Sequence, residues 1–233
     1  MTSQQKETHE YKIISIEGNI GAGKTTLLNR LQDNNINNEI VFVKEPVDVW
    51  ETFKDSNDET MLEKFYKDPN KYAFAFQIMA FTTRVQTLET AIKSNPQAKL
   101  FICERSLEAD KYIFAKMLHD DKIIDDVMYQ VYCRSFQQYV AKRHKLSGII
   151  YVCTSPALSY ERIAIRGREG ESKITMEYLE RCHQYHLNWL EHTHIPVLES
   201  TSNYDSLAKF VIDKFLQSNE IYPPVASDDL EEF

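Results

Sequence analysis

No apolar run in these 233 residues approaches the roughly 20 positions that a helix needs to cross a bilayer, so no membrane partner is expected. Dense Lys/Arg runs are missing too: 27 basic against 35 acidic side chains leave a net charge of −8. Neutralising nucleic-acid phosphates takes a clustered basic footprint, and its absence argues against a nucleic-acid partner. The four cysteines, Cys103, Cys133, Cys153 and Cys182, are widely spaced with no C-x-x-C pair. Cys103 and Cys153 fall inside strand-like runs, where a thiol behaves as a small hydrophobe. His183 and His186 beside Cys182, and His192 with His194, lack metal-ligand spacing and are expected at the surface or in packing. Met1 to Lys12 is polar, contains no Arg, and has neither the apolar core of a secretory signal nor the pattern of a transit peptide. These absences describe a reduced, cytoplasmic protein.

The length suits one α/β core, and a single domain is expected over 1–233, with 1–10 and 222–233 as flexible tails. Apolar runs near 12–17, 40–44, 100–104, 149–153 and 196–199 alternate with helix-compatible segments, which predicts a five-stranded parallel sheet surrounded by helices. Asn34 to Asn38 reads as a surface loop. The stretches 59–94 and 106–145 are too long for minimal crossovers, and each should hold more than one helix. Between Tyr72 and Phe81 the apolar residues exceed one helix face, so this helix should be buried on two sides, with an oligomer interface as one way to cover the second.

The strongest signal is Gly18-Asn19-Ile20-Gly21-Ala22-Gly23-Lys24-Thr25, a G-x-x-x-x-G-K-[ST] phosphate loop. It follows the β-branched run Ile13 to Ile16 and precedes a helix-like stretch from Thr26. Glycines let the backbone N–H groups curl into one nest at a helix N-terminus, where Lys24 reaches the β- and γ-phosphates and the Thr25 hydroxyl can ligate Mg²⁺. Ligands of open parallel sheets collect at the carboxyl ends of strands. Glu45 follows the second strand and Glu104 the third, which offers one carboxylate to accept a hydroxyl proton and one to serve the metal.

Gln77, Ala80 and Arg84 share one helix face, and Asp110 is the natural partner for Arg84. The Gln77 amide can pair bidentately with a base edge. Arg162 and Arg166 lie one turn apart, and Arg168 follows a glycine able to end their helix, so three guanidiniums suit a triphosphate. Residues 162–173 have the composition of a lid that excludes water on closing.

In this order and spacing the residues Gly18 to Thr25, Glu45-Pro46-Val47 with Trp50, Phe76-Gln77, Glu104-Arg105-Ser106 with Asp110 and Phe114, and Arg162 to Arg168 make the chain resemble the deoxyribonucleoside kinases. The resemblance runs from about Lys12 to Phe215. It implies a P-loop kinase fold, a homodimer, and transfer of the γ-phosphoryl of Mg-ATP, or of another triphosphate, to the 5′-hydroxyl of a deoxynucleoside in nucleotide salvage. It implies Glu45 as general base with Arg105 as electrostatic partner, and Lys24, Arg166 and Arg168 as further catalytic groups. Gly18 through Thr26 with Arg162, Arg166 and Arg168 would hold the donor, and Thr25 with Glu104 the Mg²⁺.

Tyr66 and Glu171 match the pair that holds the sugar 3′-hydroxyl. Ile20, Trp50, Leu62, Phe76, Ala80 and Phe114 match the walls around the acceptor, and Thr201 to Tyr204 matches the loop that cradles the donor base. The Ala80, Arg84 and Asp110 set accompanies kinases of deoxycytidine and purine deoxynucleosides. A purine deoxynucleoside is therefore favoured, deoxycytidine possible and thymidine disfavoured, and feedback by the end-product triphosphate is a further implication. Two other readings remain open at this point: a nucleoside monophosphate kinase, whose acceptor phosphate Glu45 would repel, and a nucleotide-binding regulatory module without turnover.

Overall fold

A computed structural model of the chain describes residues 11–35 and 37–200, apart from the side chains of 140–143. The expected tails 1–10 and 222–233, Ile36 of the expected loop, and the segment Thr201 to Tyr204 lie outside the described residues. Five strands, β1 (Lys12–Glu17), β2 (Ile40–Val43), β3 (Leu100–Glu104), β4 (Leu146–Tyr151) and β5 (Val197–Glu199), form one parallel sheet in the order β2-β3-β1-β4-β5. The chain leaves β1 towards one edge and β3 towards the other. The connections that leave these two neighbouring strands therefore run in opposite directions from their carboxyl ends, and a crevice opens between them.

Helix α1 (Lys24–Asp33) packs Leu27, Leu28 and Leu31 against Ile14, Ile16, Leu100, Ile102 and Ile150 of the sheet. After β2 come α2 (Val47–Trp50), α3 (Met61–Lys67) and the long α4 (Pro69–Ser94). Thr60 and Glu63 make a reciprocal capping box at the start of α3, and Asp68 caps α4 before Pro69 at its first turn. After β3 the chain runs through α5 (Leu107–Ala109), a π-helical stretch Asp110–Ala115, α6 (Lys116–Asp120) and α7 (Asp126–Arg143). Helices α8 (Pro156–Arg166) and α9 (Met176–His192) lie between β4 and β5.

Helix α4 is buried on more than one side, as its composition predicts, but much of the cover comes from the chain itself. Phe81 meets Tyr132, Phe136 and Tyr139 of α7, while Phe76 stacks on Phe65 of α3 with ring centroids 4.6 Å apart. Strand β4 departs from expectation. It starts at Leu146, and its ladder to β1 shifts between Ile13 and Ile14, absorbing Ser147 as an extra residue. It ends at Tyr151, opposite the last residue of β1, Glu17, so Cys153 is an exposed thiol beyond it and not a strand residue. His186, by contrast, is wholly buried and packed among Phe114 and Tyr151, and burial lowers its ring to about 3, so it is neutral.

Two glycines separate strain from crowding. Gly167 ends α8 at φ 63° with nothing within 4 Å of where a Cβ would stand, whereas at Gly21, φ 76°, a Cβ would sit 2.5 Å from the Ser159 carbonyl oxygen. Gly167→Ala is expected to cost about 1 kcal/mol of backbone strain, and Gly21→Ala about 3 kcal/mol once overpacking is added. Equal shifts of the chemical-denaturation midpoint in the two variants would contradict this.

Candidate active site

A cavity of about 480 Å³ opens over the carboxyl ends of β1, β2 and β3. It gathers residues that the sequence places more than 150 positions apart, from Ile20 to Tyr178. The expected Ile20, Gly21, Gly23, Lys24, Thr25, Thr26, Glu45, Trp50, Leu62, Tyr66, Phe76, Gln77, Ala80, Arg84, Glu104, Arg105, Asp110, Phe114, Arg162, Arg166, Arg168 and Glu171 all line it. Gly18, Asn19 and Ala22 do not. The Asn19 amide turns away to donate to the Leu179 carbonyl at 2.8 Å, and the Ala22 N–H is spent on the Asn19 carbonyl inside the loop. These residues shape the loop and leave the lining to their neighbours.

The phosphate loop is tied down from several sides. Thr154 Oγ1 and Arg162 Nη1 both donate to the Ala22 carbonyl, at 3.0 and 2.8 Å. Lys24 Nζ curls over the loop and donates to the Asn19 and Gly18 carbonyls at 2.9 and 3.2 Å. Burial and the Arg105 charge lower the Lys24 ammonium to about 8, against the opposing pull of Glu45, Glu104 and Glu17. Thr25 opens α1 and donates its hydroxyl to Glu104 Oε1 at 2.5 Å. A hydroxyl and a carboxylate held together beside the loop are hard oxygen donors of the kind Mg²⁺ takes alongside phosphates and water.

Opposite the loop lies an alternating chain of buried charges. Asp110, in the π-helical stretch, accepts from Arg84 Nε at 2.9 Å and from Nη2 at 3.3 Å, as the sequence predicts. Arg84 Nη2 also donates to Glu45 Oε1 at 3.0 Å, and Arg105 Nε lies 3.4 Å from that same oxygen. Glu45 Oε2 takes neither contact. Burial alone would raise the Glu45 carboxyl, yet Arg84, Arg105 and Lys24 outweigh it and hold it at about 2. Glu45 is thus a fixed anion whose Oε1 is shared by two arginines. The π-helical turn places Asp110 and Phe114 on the cavity wall together, a local widening of the helix of the sort found at functional sites.

Around this charged floor the walls are apolar. Trp50 donates its Nε1–H to Thr83 Oγ1 at 2.8 Å and sets its ring edge-on to Phe76. Gln77 is buried, and among the described residues its amide has no hydrogen-bond partner. Buried amides are normally satisfied, so this one is available to a ligand edge. Tyr178, Phe65, Val47 and Lys44 also line the cavity. Val47 belongs to the Glu45-Pro46-Val47 motif, and no motif marks the other three; Tyr178 reaches the site because α9 packs behind the loop and sets its ring at 90° to that of Tyr66.

The arginine-rich segment and Glu171 line the cavity and pair with each other. Arg166 donates to both oxygens of Glu171, with Nε at 3.0 Å from Oε2 and Nη2 at 2.7 Å from Oε1, while Arg168 Nη1 reaches Oε1 at 3.1 Å. Glu171 is 3% exposed, so its carboxylate serves as the buried counter-ion of two lid guanidiniums. The Tyr66 phenol lies in the same cavity, and burial followed by the Glu171 charge pushes it far above its ordinary value.

Two expectations follow from the charges. Arg84→Met would leave Asp110 buried without its cation and is expected to cost about 3–5 kcal/mol, with Arg84→Met/Asp110→Asn recovering a large part; denaturant titrations of both variants decide this. For Lys24, the unfolded chain titrates near 10.5 and the folded one near 8, so between those values the unfolded chain binds more protons. The burial penalty is therefore full below pH 8 and lifts as pH rises to 10.5. Lys24→Met should melt higher than the parent at pH 7, by a margin that shrinks towards pH 10. A margin independent of pH would count against a lowered Lys24.

Comparison with known proteins matches this arrangement. The family profile described as deoxynucleoside kinase matches residues 14–221. A probable deoxycytidine kinase of fowlpox virus (strain NVSL) is 39% identical over 220 residues, covering 91% of this chain and 86% of its own. The mitochondrial deoxyguanosine kinase of Xenopus laevis is 32% identical over 206 residues, covering 81% of this chain and 76% of its own. Human deoxycytidine kinase is 32% identical over 210 residues, covering 82% of this chain and 79% of its own. With its phosphate loop, parallel sheet and strand-end carboxylates in place, the chain belongs to the deoxynucleoside kinase family of phosphotransferases.

Proposed function

We propose that the chain transfers the γ-phosphoryl of a magnesium-bound nucleoside triphosphate, ATP first, to the 5′-hydroxyl of a deoxynucleoside whose base is cytosine or a purine. The observation that carries this is the geometry of Glu45. Arg84 and Arg105 both approach its Oε1, and the residue lines the same cavity as Lys24 and the phosphate loop. A hydroxyl placed on the carboxylate is oriented by an anion that stays ionised at any working pH, and it passes its proton to that anion as the new P–O bond forms. Arg105, between Glu45 and the Gly18 carbonyl, brings positive charge to the transferring group. Thr25 and Glu104 would hold Mg²⁺, which neutralises phosphate charge when bound. Arg166 and Arg168 serve the donor when they swing from Glu171, and residues 162–173 act as the lid.

Gln77 supplies the donor and acceptor pair for a base edge. A thymine methyl there would meet the charged Arg84 and Asp110 pair, which supports the exclusion of thymidine. The purine lean of the sequence is widened to include cytosine, because the names of similar proteins include deoxycytidine, deoxyguanosine and deoxyadenosine kinases. A monophosphate acceptor would set its charge against Glu45, and the regulatory reading leaves that cavity-lining carboxylate without a use.

A homodimer is part of the same proposal. Val127 and Val131, one turn apart on α7, are 70% and 48% exposed, a face suited to a second copy. The cysteines are unpaired, with Cys103, Cys133 and Cys182 buried, in keeping with a reducing cytoplasmic setting.

Purified protein with Mg-ATP is expected to phosphorylate deoxycytidine, deoxyguanosine or deoxyadenosine well ahead of thymidine. Glu45→Gln should lower kcat by about 10²–10⁴-fold with little change in acceptor binding. Turnover of none of the four nucleosides, or best turnover of thymidine, would overturn the reading.

A further inference from the structure

Glu17 ends β1 immediately before Gly18, and its side chain is wholly buried. Removing a carboxylate from water costs several kcal/mol unless other groups compensate. The compensating groups belong to the turn that carries Arg105. Glu17 Oε1 accepts the Ser106 backbone N–H at 2.8 Å, and Oε2 lies 3.9 Å from Arg105 Nη1. Among the described residues neither Oε2 nor Nη1 has a hydrogen-bond partner, and the two buried atoms face each other; burial raises the Glu17 carboxyl, and Arg105, with Ser106 and Ser15, opposes that rise and favours the anion.

Between these two restraints Arg105 adopts φ 67°, a left-handed conformation that costs a residue with a Cβ about 1–2 kcal/mol. The other non-glycine residues with positive φ among those described, Asp58 and Lys122, stand on exposed turns where such geometry is cheap. Arg105 is 4% exposed and carries a charge. Strain of this kind persists at a buried site when several contacts over-determine it. For Arg105 those contacts are Glu45 at Nε, the Gly18 carbonyl at Nη2, the Phe114 ring 4.6 Å from the guanidinium carbon, and Glu17 at Nη1 and at the next backbone N–H. Glu17 itself does not line the cavity.

We infer that Glu17 is the positioning residue for Arg105: its buried carboxylate anchors the strained turn through Ser106 and holds the far side of the guanidinium, aiming Nε at Glu45. The inference rests on the reading of Arg105 as the guanidinium that serves the transferring phosphoryl. Glu17 acts on the reaction only through that guanidinium.

The test is Glu17→Gln, which preserves size and an acceptor for the Ser106 N–H but removes the charge facing Arg105. Its kcat for the best nucleoside should fall about 10–100-fold, with both KM values within about threefold and Tm unchanged or higher, since a buried charge is gone. In the Arg105→Lys background the same change should cost less than about twofold, because the two residues act as a unit. Unchanged kcat in Glu17→Gln overturns the inference, as does a kcat loss accompanied by a fall in Tm, or full additivity with Arg105→Lys. Full kcat in Arg105→Lys overturns the role of Arg105 and the inference with it. Failure of the kinase reading itself is told apart, because it would appear as no turnover by the parent protein in the same assay.

Discussion

Asp110, Arg84, Glu45, Arg105 and Glu17 alternate in sign through the floor of the cavity, each within 4 Å of the next. Their side chains are 16% exposed or less, so each charge is stable only while its neighbours stay in place. The five come from the π-helical stretch, α4, the turn after β2, the turn after β3, and the end of β1. A shift of any one of these elements would strand a charge in a medium of low dielectric. The network therefore restrains the packing of the elements that meet at the crevice, and the apolar clusters beside it fill the space that this restraint leaves.

The same lattice joins the phosphate loop to the carboxylate at the end of β2. Arg105 touches Glu45 with one nitrogen and the Gly18 carbonyl of the phosphate loop with another, so the two share one guanidinium. Arg84 has its nitrogens on Asp110, Glu45 and the Glu104 carbonyl, and acts as a strut more than as a ligand. Ionic pairs this deep add little stability over an apolar core of equal volume, and their value is the geometry they impose. The lid differs: Arg166 and Arg168 hold a single carboxylate close to them in sequence, an arrangement that can open without disturbing the floor.

Legibility followed the range of the interactions. The loop from Gly18 to Thr25 is readable because strand, glycines and helix follow one another along the chain. Gln77, Ala80 and Arg84 are readable as a face because a helix repeats every 3.6 residues, and Glu45 and Glu104 because polar residues closing apolar runs stand at the sheet's ligand end. Glu17 has that same strand-end position but stands directly against the first glycine, where it reads as the start of the motif, and nothing local announces its total burial. The apolar neighbours of Cys153 read as strand, but the ladder between β1 and β4 ends where Glu17 meets Tyr151, which leaves Cys153 outside. Glu171 matched a sugar ligand by position, while its pairing with Arg166 and Arg168 depends on how the chain turns at Gly167 and Gly170.

The sequence by itself determined the phosphate loop, the alternation of strands and helices, and the chemical identity of the groups available for transfer, because each of these rests on local spacing and side-chain type. Only the tertiary structure decided that Arg84 and Arg105 both close on one oxygen of Glu45, that Gln77 is buried without a partner, and that Arg105 sits in a left-handed turn braced by Glu17. Those outcomes depend on which strands are neighbours and on how deeply each charge is shielded from water, and neither quantity is a property of any stretch of the chain taken alone.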